Sequence, residues 1–218
     1  MKLPKFKTNS WLRWAIFAAI LYIVLSIVVA AMPAIGKFEA KLLKEWIDYR
    51  SETVLHFAME AGALGSTMGV ILISSTVVAV TLLLRSTRSS LQYLIAVCGS
   101  GLITGSSKWL VQRERPEEIS ESLGFYTSSY PSGHTLTATA MYFTLALMAT
   151  EALKGSKAPS LPRRGLYVTA GVLIFAVAIA RILTATHFPT DSVGGLLAGF
   201  FWASLVHAFF RTQDKAAA

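Results

Sequence analysis

The sequence predicts an all-α integral membrane protein. It should be a bundle of six transmembrane helices with one further amphipathic helix in the interface and a long extracytoplasmic loop near the functional residues. Three observations predict this. Of the 218 residues, 54% are hydrophobic and only 15% are charged, against about 25% charged in a soluble domain. The charges are clumped, leaving uncharged runs as long as the ~20 apolar residues that cross a bilayer. Lys and Arg are also divided unevenly between alternate loops.

The first run covers residues 14–36. Lys2, Lys5, Lys7 and Arg13 precede its apolar part, and Ala30-Ala31-Met32-Pro33-Ala34 closes it, so it has the look of a secretory signal. A signal's apolar region is only ~7–15 residues long. This one is longer and five more apolar segments follow, so it is expected to remain as an uncleaved first helix. In residues 38–57, Phe38, Leu42, Leu43, Trp46 and Ile47 recur at helical spacing with Lys41, Lys44, Glu45 and Asp48 between them. That pattern predicts the amphipathic helix of the outer interface, serving either as a plain connection or in lipid access.

Residues 61–84 and 89–107 are uncharged and supply the second and third spans. Runs 135–150 and 165–180 are shorter and borrow flanking residues to make the fourth and fifth. Residues 192–210 make the sixth. Between the fourth and fifth, residues 154–164 hold Gly155, Pro159 and Pro162 and read as a turn. The stretch 113–130 is longer than a bundle connection needs to be, and longer connections often carry function. Residues 215–218 read as a frayed tail. With no repeat or low-complexity tract, residues 1–218 are expected to form one domain. Cys98 allows no internal disulfide, and its expected role is packing in the third span.

Orientation follows from Lys and Arg in short loops. With the N-terminus inside, the cytoplasmic side receives twelve of them: Lys2, Lys5, Lys7, Arg13, Arg85, Arg88, Lys154, Lys157, Arg163, Arg164, Arg211 and Lys215. The outer side receives eight, together with ten of the twelve acids. Both termini are therefore expected in the cytoplasm, in an inner or plasma membrane. The net charge of +8 is then accounted for by topology and by anionic lipid, with no nucleic acid needed.

Three short motifs carry the chemistry, each at the edge of an apolar run. Lys108 and Arg115 lie seven residues apart, about two helical turns, on what is expected to be a continuation of the third helix, stopped by Pro116. A Lys point charge and an Arg fork suit a phosphate. Taken alone, they also look like two snorkelling interfacial cations. Pro131-Ser132-Gly133-His134 opens the fourth span, where a helix N-terminus offers an anion site. Gly133 admits a close backbone approach. Ser132 can cap the helix or bond a phosphate oxygen. His134 can donate a proton near neutral pH. Taken alone, this too is a turn and an N-cap. Arg181 ends the fifth span, and His187 and Asp191 stand four apart across Pro189. His187 can attack phosphorus, and Asp191 can orient it through the other ring nitrogen. Ionisable residues at membrane depth favour a functional reading, and three such sets in order make coincidence a poor account. Glu114, Glu117, Glu118 and Glu121 form a solvating run without a metal-ligand pattern, and His56 and His207 belong to no motif.

In this order and spacing the motifs resemble the type 2 phosphatidic acid phosphatase family, related to the vanadium haloperoxidases. The family pattern is Lys-x6-Arg-Pro, Pro-Ser-Gly-His and Ser-Arg-x5-His-x3-Asp. Here these read KWLVQRERP from Lys108, PSGH from Pro131 and ARILTATHFPTD from Ala180, with Ala180 standing where the family usually has Ser. The resemblance implies His187 as nucleophile, Asp191 as its orienter and His134 as the acid. It implies Lys108, Arg115, Ser132, Gly133 and Arg181 as phosphate ligands, and no metal or other cofactor. The expectation is a membrane phosphatase taking a terminal phosphate from a lipid phosphate or diphosphate on the outer side. Undecaprenyl diphosphate, phosphatidic acid, phosphatidylglycerophosphate and lipid A are the candidates. A lipid phosphotransferase using the same phosphohistidine and a non-catalytic lipid-phosphate binding or transport protein are the alternatives. Oligomeric state is not legible.

Overall fold

The computed structural model describes residues 10–116, 128–153 and 160–216. Eight helices and no strand occur among them: α1 (Ser10–Ala31), α2 (Pro33–Tyr49), α3 (Glu52–Ala63), α4 (Thr67–Leu83), α5 (Thr87–Val111), α6 (Gly133–Ala152), α7 (Ser160–Leu183) and α8 (Pro189–Ala216). Of the turn expected at 154–164, residues 154–159 lie outside the described residues, and 160–164 are helical, forming the first turn of α7; most of the 113–130 loop also lies outside them.

The span count differs from the expected six. Among the described residues, four helical stretches are long and apolar enough to cross a membrane: Ser10–Ala31, Thr87–Val111, Arg163–Leu183 and Pro189–Thr212. The pair α3 and α4, bent by 42°, reaches that length and apolarity only when its two halves are taken together. The second span was expected to run unbroken through 61–84. It breaks at Leu64-Gly65-Ser66, where Ser66 Oγ accepts from Gly69 N (3.2 Å) and caps α4. The elbow is pressed inward: a Cβ on Gly65 would stand 2.7 Å from Val177 Cγ1 and 3.0 Å from the His134 carbonyl oxygen. Helix α6, expected as the fourth span, is not apolar enough by itself. It carries Thr135, Thr137, Thr139, Thr144 and Thr150, and α5, α7 and α8 pack against it. Protein rather than lipid surrounds most of it. Ser100 Oγ of α5 donates to Thr137 Oγ1 over 3.0 Å, and Thr139 Oγ1 donates to Thr135 O over 2.7 Å within the helix.

Lipid-facing stripes sit on the outer helices. On α7, Val168, Val172, Phe175 and Ile179 recur at helical spacing and are all exposed. Inside, Tyr93, Met141, Tyr142, Ile174 and Val177 form the core with small residues such as Ala138 and Ala146. Cys98 is exposed on α5 rather than packed, because α5 turns Ser90, Tyr93, Ala96 and Ser100 inward instead. His207 does pack as a structural residue, with Nδ1 3.2 Å from Gln92 Nε2 and Trp11 edge-on to its ring.

Residues 38–57 are two helices rather than one. Helix α2 ends at Arg50, which is extended, and Ser51 restarts the chain by accepting from Val54 N. Helix α2 is strongly amphipathic. Phe38 and Leu42 are exposed, while Glu39 and Leu43 are buried. Its far end is anchored where Trp46 Nε1 and Arg50 Nη1 both donate to Leu183 O over 3.1 Å.

Candidate active site

Helix α8 lies unusually close to α6, and this brings the second and third motifs together. A Cβ on Gly195 would stand 2.8 Å from Ser132 O, and one on Gly199 would stand 2.6 Å from Leu136 O. Two glycines one turn apart therefore let the backbones meet. One turn before Gly195, Ser132 N donates to Asp191 O over 3.0 Å.

His187 sits in the turn between α7 and α8, only 2% exposed. Its Nδ1 faces Asp191 Oδ2 at 3.4 Å, which leaves Nε2 as the nitrogen free for chemistry. Asp191 is fully buried and well held. Oδ2 accepts from Phe188 N over 2.9 Å and from the Ser129 hydroxyl, and Oδ1 accepts from Arg113 Nη1 over 2.6 Å. Burial drives the His187 pKa down to about 4, and Arg115 and Arg181 push the same way against the pull of Asp191. The imidazole is therefore neutral at ordinary pH, the state a nitrogen nucleophile needs.

The cations surround this pair. Arg115 Nη1 donates to Thr186 O over 3.1 Å, and Lys108 Nζ donates to Ser128 O. Electrostatic coupling runs from Arg115 to Lys108, His134, Arg181 and His187, so the three motifs share one field. His134 and Arg181 line a cavity of about 390 Å³ together with Leu55, Met59, Gly62 and Thr186. Arg181 Nε is buried there without a hydrogen-bond partner among the described residues. A second cavity, about 490 Å³, reaches Gly133 and His134 from between α4 and α5, past Val70, Ile71, Val97 and Gly101.

One local expectation is corrected, and one of the two alternatives for Ser132 is removed. The third helix was expected to carry Lys108 and Arg115 on one face, yet α5 stops at Val111, and Gln112 is left-handed (φ 49°, ψ 36°). The reversal turns Arg113 and Arg115 in towards Asp191 and Thr186. Ser132 stands at the N-cap position of α6, but its side chain caps no backbone N–H. Its Oγ accepts from Thr135 Oγ1 instead, over 3.1 Å. Gly133 has the tight approach expected of it, though to protein: a Cβ would stand 3.1 Å from Thr104 Cγ2.

Arg113, Ser129, Thr190 and Glu39 were not singled out by sequence reasoning. Glu39 had a legible signal. It shares the i, i+4, i+7 stripe with Leu43 and Trp46, which is an acid on the inward face of an amphipathic helix. Arg113 was visible only as one more basic residue of the first motif. Among the described residues, no three His, Cys, Asp or Glu side chains gather as a metal-ligating group.

Comparison with known proteins fits this geometry. The sequence pattern of the PAP2 superfamily matches residues 89–215, and the chain belongs to that superfamily. Phosphatidylglycerophosphatase B of Bacillus subtilis (strain 168) is 29% identical over 125 residues. The match covers 57% of this chain and 60% of that relative, so it spans rather less than two thirds of the relative's length. The fold superposes on the crystal structure of a transmembrane PAP2-type phosphatidylglycerolphosphate phosphatase from Bacillus subtilis with a TM-score of 0.78. That superposition covers 94% of this chain and 97% of the other at 21% identity, a likeness of fold. The chain is thus a multi-pass, all-helical membrane protein of this superfamily.

Proposed function

We propose that this protein is a membrane lipid phosphatase that removes a terminal phosphate through a phosphohistidine on His187. One observation carries the reading: the buried His187–Asp191 pair shares its field with Arg115, Arg181 and His134, beside a cavity in which Arg181 Nε lacks a partner. An unpaired buried guanidinium nitrogen is a vacancy for an anion. Lys108, Arg115 and Arg181 would hold the phosphate oxygens, helped by Ser132 and Gly133. Nε2 of His187 attacks phosphorus while His134, protonated once the negative charge of the bound phosphate offsets the cations around it, gives its proton to the leaving lipid oxygen. Water, giving a proton to the now neutral His134, then attacks phosphorus, and the P–Nε2 bond breaks to free His187 and inorganic phosphate. Catalysis of this kind is mainly positioning and charge stabilisation.

The groove between α4 and α5 supports a lipid substrate, since its apolar lining leads from the membrane flank to His134. The Bacillus subtilis relatives are phosphatidylglycerophosphate phosphatases, which supports phosphatidylglycerophosphate as the first candidate. The excess of Lys and Arg in alternate loops supports cytoplasmic termini and a site on the outer side.

The test is phosphate release by purified protein from phosphatidylglycerophosphate, phosphatidic acid and undecaprenyl diphosphate. His134→Ala should lower the rate by ~10²–10⁴-fold, the usual worth of a general acid. Release from none of the three lipids by folded wild-type protein would sink the reading. For sidedness, Glu45→Cys in a Cys98→Ala background should react with an impermeant thiol reagent in intact spheroplasts, and Thr87→Cys should react only after lysis. The reverse pattern would place the site in the cytoplasm.

A further inference from the structure

Glu39 of α2 and Arg113, a residue of the first motif with no role assigned so far, form a buried chain that ends on Asp191. Arg113 Nη1 donates to Asp191 Oδ1 and Nη2 donates to Glu39 Oε2, both over 2.6 Å. The three side chains are 9% (Arg113), 6% (Glu39) and 0% (Asp191) exposed. Glu39 also accepts from Thr190, from its N over 2.8 Å and from its Oγ1 over 2.8 Å. It therefore closes the first turn of α8, the turn that carries Asp191. The Arg113 guanidinium lies 4.3 Å over the Phe188 ring, next to His187.

We propose that Glu39 and Arg113 are a positioning pair for this reaction, through which α2 sets the orientation of Asp191 and hence of His187. The proposal rests on the reading of His187 as nucleophile and Asp191 as its orienter. Charge explains why two residues are used. A lone guanidinium bonded to Asp191 would drain the negative charge that His187 faces. Glu39 restores it, so Glu39, Arg113 and Asp191 together present one net negative charge. Removing one member of such a buried set leaves the other uncompensated. Geometry explains why α2 supplies the acid. Its exposed stripe of Phe38, Leu42 and Tyr49 suits a membrane surface, while Glu39 and Leu43 point inward. Trp46 and Arg50 fix its other end to Leu183, so α2 grips both ends of the segment 183–190.

The charged and titratable groups facing His187 are Asp191, Arg115, Arg181 and His134, and Lys108, Arg113 and Arg115 act on Asp191. The test uses the full-length protein in detergent, with phosphatidylglycerophosphate as probe. It compares Glu39→Gln, Arg113→Gln, the double variant and His187→Ala, each checked for a wild-type-like thermal transition. Glu39→Gln keeps the shape and removes the charge. Its kcat should fall by about 10²-fold with KM little changed, the size of a misplaced reacting group. The acid limb of kcat should move to lower pH in Glu39→Gln, where Arg113 is uncompensated, and to higher pH in Arg113→Gln. The double variant should return towards the wild-type limb. Opposite shifts are not what a merely structural contact produces. If Arg113→Gln does not fold, Arg113→Lys replaces it: charge kept and fork lost, with kcat lowered and the limb unmoved. Wild-type kcat in Glu39→Gln beside a dead His187→Ala overturns the pair and leaves the mechanism standing, as do limbs that fail to separate. An active His187→Ala overturns the mechanism itself.

Discussion

The main-chain N–H of Ser132 donates to the main-chain carbonyl of Asp191 over 3.0 Å. The turn that opens α6 and the turn that opens α8 are thereby joined backbone to backbone, with His134 on one side of the joint and His187 on the other. Gly195 permits the joint, since a Cβ there would stand 2.8 Å from Ser132 O and 2.9 Å from Thr135 Cβ.

Gly195→Ala is expected to force the two helices apart. Overpacking of this kind typically costs ~1–3 kcal/mol, so the thermal midpoint in detergent should fall. Activity should fall further than stability explains, because Asp191 moves with α8. Gly165→Ala is the control, as nothing lies within 4 Å of its absent Cβ. Equal behaviour of the two variants would show that the approach of α8 to α6 does not set the site.

Stability should carry the signature of a neutral buried histidine. His187 is held at about 4 by burial, assisted by Arg115 and Arg181, whereas an unfolded histidine titrates near 6.5. Between those values the unfolded chain takes up a proton that the folded chain refuses. Its contribution is therefore fully present above about pH 6.5 and is lost as pH falls towards 4. The slope for one such proton approaches ~1.4 kcal/mol per pH unit. His187→Gln should destabilise less steeply than wild type from pH 6.5 to 4.5. Parallel curves would mean that His187 is already charged in the fold.

The cationic surround predicts its own inhibitor. With Lys108, Arg115 and Arg181 around the His187–Asp191 pair, vanadate should compete with substrate as a trigonal-bipyramidal mimic of the transferring phosphoryl group. Excess EDTA should leave the rate unchanged. Activity that vanishes in chelator and returns with a divalent cation would require ligands other than those described.

Membrane character and the motif residues were legible in the sequence because they rest on local patterns. A run such as 192–210 is apolar wherever it folds, and His187 and Asp191 share one turn. What was illegible depends on distant neighbours. The elbow at Gly65 exists because Val177 and His134 press on it, over a hundred residues away for Val177. The end of α5 at Val111 comes from Arg113 reaching Glu39 and Asp191, which overrides helical spacing. Helix α6 keeps its five threonines because other helices enclose it, a fact that no hydropathy window contains. Glu39 was readable only as an acid on an inward stripe, and its partner lies 74 residues on.

The most direct test of the central claim is a rapid-quench experiment with phosphatidylglycerophosphate labelled in its terminal phosphate. The account predicts transient label on wild-type protein that is stable in alkali and lost in acid, as a phosphoramidate bond behaves. His187→Ala should carry no label and release no phosphate. Label that survives acid, or phosphate release by folded His187→Ala at a rate near wild type, would contradict attack by His187.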